Sequence, residues 1–267
     1  MFEHGNKNIK RMKKQYTIYL MIISCFISTG SSKTGPVKVA FWNVENLFDI
    51  IDDPKTNDED YLIGGRKNVT NETYNLKFQN ISKVINQIMP DILGLCEIEN
   101  RFVLNELNEY LKINYKIVHY ESPDQRGIDV GLLYNPNRVY IVESSPIKVI
   151  LSSGKPTRDI LYVHCKKDDI SLHLYVNHWP SKYGGVKKTI PSRAKAAMTL
   201  RQHIVSLLKQ DGDAEILVMG DLNDEPHEPS VLKHLGASLD SSSVHGDKHI
   251  LWNLMGPWHK NPQGSTY

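Results

Sequence analysis

The chain has 267 residues, 40% of them hydrophobic, and a formal net charge of +2 at pH 7. This supports one large domain with a full core and excludes a disordered or collagen-like chain. A charge so near zero is no argument for nucleic-acid binding.

At the N-terminus, Lys7, Lys10, Arg11, Lys13 and Lys14 precede an apolar stretch from Tyr16 to Ile27, and small residues Ser28, Thr29, Gly30 and Ser31 follow. This is the pattern of a bacterial-type export signal. The stretch is too short for a stable membrane span. Residues 1–35 are expected to be a signal peptide or a lipoprotein leader, the latter with Cys25 lipidated. The domain proper is then 36–267, an exported monomer that is periplasmic, extracellular or lipid-anchored. Cleavage near residue 30 removes five basic residues and one acidic, which carries the formal charge from +2 to −2.

A strand is expected at 37–43, from the apolar run Val39-Ala40-Phe41-Trp42, and Asn43 and Glu45 follow it two residues apart. An acidic loop around Asp52, Asp53 and Pro54 leads to a helix with Phe78, Ile81, Val84, Ile85 and Ile88 at amphipathic spacing. Pro90 stops it, and the apolar run 91–96 ends on Glu97. A second helix carries Val103, Leu104, Leu107 and Leu111. Strands are expected at 115–119, 129–134, 139–150, 158–165 and 171–178, the last two as a hairpin and the last delivering Asn177 and His178. A loop holds Tyr183-Gly184-Gly185, and a long helix begins at Ser192. The final strand, Ile216 to Met219, ends in Gly220, and alternation is expected to put Asp221 and Asn223 on one face. Strands mixed with helices and hairpins favour a mixed sheet or two packed sheets with helices outside. Cys96 and Cys165 both lie in apolar runs, either as free core residues or as a disulfide.

Four strands that each end in Asn, Asp, Glu or His point to a site, because strand carboxyl ends are where sites assemble in layered α/β folds. Paired carboxylates and amides suit a hard metal ion, a phosphate and the water between them.

Five segments carry a family resemblance: Phe41-Trp42-Asn43-Val44-Glu45-Asn46-Leu47, Asp91 to Glu97, Arg126-Gly127-Ile128-Asp129 with the strand after it, Val176-Asn177-His178-Trp179-Pro180-Ser181, and Met219-Gly220-Asp221-Leu222-Asn223. In order and spacing the chain, from about Val37 onward, resembles the endonuclease/exonuclease/phosphatase superfamily, which includes pancreatic deoxyribonuclease. The resemblance implies a four-layer α/β/β/α sandwich of two mixed sheets with outer helices. It implies a Mg²⁺-dependent phosphoesterase, with Mn²⁺ or Ca²⁺ as possible substitutes. Glu97, Asn43 and Glu45 are the implied metal residues. His178, Asp221 and Asn223 are the implied catalytic ones, with Asp221 directing the attacking water. Asn177, Arg126, Arg158 and Arg193 are candidate phosphate contacts, and Arg126 pairing with Asp129 is the alternative for that arginine.

The family pattern closes on an Asp-His pair, and no Asp-His follows Asp221 before the chain stops at Tyr267. On this reading the domain is incomplete at its C-terminus and its activity doubtful. The leading expectation is an exported endonuclease acting on nucleic-acid phosphodiesters. The alternatives are a phosphatase or phosphodiesterase for small-molecule or lipid phosphoesters, and a non-catalytic remnant that binds phosphate or a partner. Trp179, Lys182, Tyr183, Lys187 and Lys188 are the aromatic and basic residues suited to a nucleic-acid groove.

Overall fold

Apolar runs of period two and amphipathic helical runs sort into two sheets with helices on their outer faces. The computed structural model describes residues 35–247 and 249–259, with the backbone of residues 20–24. Apart from that backbone, the leader assigned to 1–35 lies outside the described residues, as does the closing segment 260–267. Among the described residues no helix is long and apolar enough to cross a membrane.

The first sheet comprises β1 (Leu20–Ser24), β2 (Lys38–Leu47), β3 (Ile92–Ile98), β4 (Lys116–His119) and β5 (Asp129–Tyr134), in the order β1-β2-β3-β5-β4. The second comprises β6 (Tyr140–Ile147), β7 (Ile160–Lys167), β8 (Ile170–His178) and β9 (Glu215–Asp221), in sequence order. Each sheet contains one parallel pair, β2–β3 and β8–β9. A parallel pair needs a crossover. Helix α1 (Asn71–Ile88) supplies one and α3 (Val186–Gln210) the other. The C-terminal ends of β2 and β3, and of β8 and β9, are thereby set side by side.

Alternation decides the layers. Val39, Phe41, Cys96, Val130 and Leu132 point between the sheets and meet Val163, Leu174, Val176 and Met219. Ala40, Trp42, Leu93 and Leu95 point outward against Phe78, Ile81 and Ile85 of α1 and Val103, Leu104 and Leu107 of α2 (Arg101–Glu109). Tyr162 and Tyr175 pack under Ala197, Leu200, Ile204 and Leu208 of α3. The result is the expected α/β/β/α sandwich. Cys96 and Cys165 are free, both buried in the inter-sheet layer.

The helix boundaries follow capping chemistry. Thr70 and Thr73 form a reciprocal capping box at the start of α1, which ends at Met89 in the left-handed region just before Pro90. Asn100 accepts from Val103 N–H at 3.0 Å and starts α2. The expected start of α3 at Ser192 is corrected to Val186, with Pro191 inside the helix. Proline lacks the N–H a helix interior uses, but so near the N-terminus most of that ladder is still unformed.

Candidate active site

The strand ends converge on one side-chain amide. Asn43, where β2 slips register against β3, donates to Glu97 Oε1 of β3 at 3.2 Å and to Asp221 Oδ2 of β9 at 3.0 Å. Both hydrogens of one NH₂ group are engaged, and two carboxylates from different sheets are held together. Asn43 Oδ1 accepts the Glu45 N–H at 2.9 Å. A backbone N–H only donates, so this contact settles which end of the amide is oxygen.

His178 closes the group from β8, with Nε2 3.7 Å from Glu97 Oε1. Burial, then the positive charges of Arg158 and Arg126, hold its imidazole pKa well below the ordinary value. Its Nδ1 is buried without a hydrogen-bond partner. Orphaned buried N–H groups are rarer than orphaned acceptors. The neutral ring therefore carries its proton on Nε2, facing the carboxylates. Asp221 Oδ1 accepts Asn223 N–H at 3.0 Å, and Asn223 Nδ2 donates to the Trp179 carbonyl at 2.9 Å.

The model of the Endonuclease/Exonuclease/phosphatase family matches residues 38–267. The chain belongs to that family. No curated protein matches its sequence. Its fold is similar to that of the human Nocturnin catalytic domain with bound sulfate, at TM-score 0.54 and 18% identity over 82% of this chain and 77% of that one. It is also similar to a mannosyl-6-phosphatase of Bacteroides thetaiotaomicron, at TM-score 0.53 and 16% identity over 74% and 69% of the two chains. For TDP2 of Caenorhabditis elegans the TM-score is 0.51 and the identity 17% over 71% of this chain, which spans only 48% of that one. At these identities the likeness is one of fold.

A divalent metal of the kind this family uses fits at Glu97. Mg²⁺ takes one or two carboxylates and fills its remaining positions with water and phosphate oxygens. Glu97, with 18% of its side chain open, could supply such a carboxylate. The expectation that Asn43 is a ligand is corrected. It turns nitrogen toward the acids and acts as a clamp.

The backbone explains a second correction. Glu45, Asn46, Glu97 and Asn223 have φ of 54°, 63°, 59° and 51°. Such left-handed residues cost about 1–3 kcal/mol each and cluster at sites. Strand alternation therefore does not set the faces of Asn43 and Glu45 or of Asp221 and Asn223. In each pair the first side-chain oxygen accepts the N–H two residues on, an Asx turn. Glu45 ends up exposed and is not one of the carboxylates the amide clamps.

Of the four candidate phosphate residues, three are occupied internally. Asn177 is fully buried, donates to the Tyr175 and Met219 carbonyls at 3.3 and 3.2 Å, and accepts from Trp179 Nε1 at 3.1 Å. Arg158 is buried and donates to the carbonyls of His178 and Trp179 at 3.2 and 2.7 Å and to Asp124 Oδ2 at 2.9 Å. Arg193 is fully buried with Nε 2.8 Å from Asp224 Oδ2. These three expectations are corrected: each side chain braces the loops behind the site. Arg126 differs, with 51% of its side chain exposed beside Asp124 at 3.4 Å. It is close enough to lower the His178 pKa. Its alternative partner is also corrected, because Asp129 binds His119 Nε2 at 3.1 Å and Ser122 N–H at 2.9 Å.

Trp179 is buried in the core under α3, whereas Tyr183 is 93% exposed and Lys187 and Lys188 are exposed. Sequence reasoning missed Asp124, which holds Arg158 and Arg126 together, and Lys77, whose Nζ donates to the Glu45 and Asn46 carbonyls. Lys77 sits on the polar side of an amphipathic helix, where no sequence signal separates it from a solvated lysine.

Proposed function

We propose that this chain is an exported, divalent-metal-dependent phosphoesterase acting on the phosphodiester links of nucleic acid. The observation that carries this reading is the Asn43 amide spanning Glu97 and Asp221, with neutral His178 beside them. Mg²⁺ bound at Glu97 would supply charge neutralisation at the phosphoryl oxygens, a role Mn²⁺ or Ca²⁺ could take. Asp221 is fixed by donors on both oxygens, which suits it to orient and deprotonate the attacking water. Asn223 holds Asp221 through its backbone N–H. His178 Nε2–H donates to a phosphoryl oxygen and is undiminished at neutral pH because the ring stays neutral. Arg126 meets the anion from the open side.

Nucleic acid is favoured by the surroundings. Tyr183 stands fully in solvent close enough to Arg66 to bear on its charge, and Lys187 and Lys188 follow it. An exposed aromatic ring among exposed cations suits a polyanion carrying stackable bases.

The test is hydrolysis by the purified chain with Mg²⁺, on double- and single-stranded DNA, bis-p-nitrophenyl phosphate and p-nitrophenyl phosphate. Cleavage of DNA and the diester is expected, abolished by EDTA and by Asp221→Asn. Faster turnover of the monoester than of any diester would replace this reading with a phosphatase. No turnover of any substrate would leave a phosphate-binding remnant.

A further inference from the structure

Outside the Glu97 site, His119 at the end of β4 faces two carboxylates. Its Nε2 lies 3.1 Å from Asp129 Oδ2 and its Nδ1 3.7 Å from Glu121 Oε1. Ligand atoms of His119, Glu121 and Asp129 lie within 4.8 Å of one another, and no other His/Cys/Asp/Glu group among the described residues is so placed. An imidazole lone pair beside two carboxylates is a metal-donor set. The Glu121 and Asp129 carboxylates are neighbours, each offering an oxygen within 4.8 Å of the other. A cation between two adjacent carboxylates offsets their repulsion. Among the described residues no lysine or arginine forms an ion pair with Glu121 or Asp129, and Lys148 bears on Asp159 from outside ion-pair distance.

An independent observation comes from the second sheet. Asp159, just before β7, is only 8% exposed, and its Oδ1 is buried without a hydrogen-bond partner. With Ser122 and Asp129 it lines a cavity of about 10 Å³. The Ser122 hydroxyl is likewise buried and unpartnered. That cavity has room for one water. Glu121, with 68% of its side chain exposed, opens the group to solvent on the other side.

We propose that His119, Glu121 and Asp129 bind a second divalent cation of the transition-metal class, Zn²⁺ or Mn²⁺, and that a water in the cavity links it to Ser122 and Asp159. One imidazole and two carboxylates match that class better than Mg²⁺ or Ca²⁺, which prefer oxygen alone. The ion does not touch the reacting atoms. It ties residues 119, 121 and 129 at the two ends of a loop that carries Asp124 and Arg126. Asp124 holds Arg158, which donates to the His178 and Trp179 carbonyls. Closing the ends of that loop restricts where Arg126 can stand at the mouth of the active site.

The experiment is calorimetric titration of the EDTA-treated full chain with Zn²⁺, in parallel with thermal unfolding. Glu97→Gln should still take up one Zn²⁺ and gain melting temperature from it. Glu97→Gln/Glu121→Ala should bind Zn²⁺ more than about 100-fold more weakly and gain nothing. Position 121 is exposed, so this variant should melt in EDTA at the temperature of its parent; if it does not, Glu121→Gln replaces it. Ca²⁺ should bind more weakly than Zn²⁺ to the Glu97→Gln chain. Equal Zn²⁺ uptake with and without Glu121 overturns the proposal. So does absence of Zn²⁺ binding to Glu97→Gln.

Discussion

Asn43 and Asp221 are 178 residues apart in the chain and 3.0 Å apart in space. The contact ties the irregular stretch of β2 in one sheet to the end of β9 in the other. Because its second hydrogen goes to Glu97, the same group holds together two acids that would otherwise repel. Asn43→Ala removes the donor and leaves both carboxylates to relax away from each other. We expect kcat on bis-p-nitrophenyl phosphate with Mg²⁺ to fall by about 10²–10³-fold, the range for losing one preorganised donor. Turnover near the wild-type value would mean that the amide only packs there.

Glu97 is the residue on which metal binding should depend. Glu97→Gln keeps an oxygen for the Asn43 amide to reach but removes the charge that attracts Mg²⁺. Calorimetry should show Mg²⁺ affinity lost and hydrolysis reduced, with the melting temperature in EDTA unchanged. Equal Mg²⁺ affinity in the two proteins would take Glu97 out of the metal site.

The arginines should separate cleanly. Arg158→Ala removes the buried partner of Asp124, leaving it only the half-exposed Arg126, and leaves two carbonyls without a donor. Breaking a buried pair in this way costs about 3–5 kcal/mol, so a large fall in melting temperature is expected. Arg126→Ala lies half in solvent and should leave the melting temperature alone while raising KM about tenfold, the worth of one charge-assisted contact. A loss of stability in both variants would place Arg126 in the frame with Arg158.

These arginines also show where sequence stops being informative. The strands that deliver Asn43, Glu97, His178 and Asp221 are legible because their apolar runs must be buried and a polar residue follows each run. Whether a given arginine is spent internally depends on a partner 34 residues away, as Asp124 is from Arg158, and no local pattern encodes that. The facing of Glu45 and Asn223 was illegible for a different reason. Period-two alternation assumes extended backbone, and both residues have left-handed φ. Trp179 directly follows His178 yet turns into the core, where its indole N–H finds Asn177. A tryptophan at a site edge has the same sequence signature.

Gly220 should be irreplaceable. It has φ of 153°, and a Cβ there would lie 2.3 Å from the Asn177 carbonyl oxygen, across the parallel β8–β9 pair. Backbone cannot give way as a side chain can, so the two strands would have to part just where His178 and Asp221 are set. Gly220→Ala is expected to lose hydrolysis and several degrees of melting temperature together. Wild-type activity in a folded Gly220→Ala protein would show that the register there is loose.

Glu99 yields a prediction with a definite sign in pH. It is 4% exposed at the turn after β3, accepts Asp49 N–H at 2.7 Å and lies near Asp49 and Asp58. Burial, aided by those two acids, pushes its carboxyl from the ordinary 4.5 up to about 8. In the unfolded chain the group ionises near 4.5, so between that pH and about 8 the folded protein holds the extra proton. Stability from this residue is therefore full below the lower value and declines as pH rises through the window. Glu99→Gln retains an oxygen for the Asp49 N–H and has no proton to lose. The variant should match or fall below wild type near pH 5 and exceed it near pH 8, by about 1 kcal/mol or about 2–4 °C in melting temperature. Thermal unfolding at the two pH values measures this directly. A difference of the same size and sign at both would show that Glu99 is ionised in the folded protein.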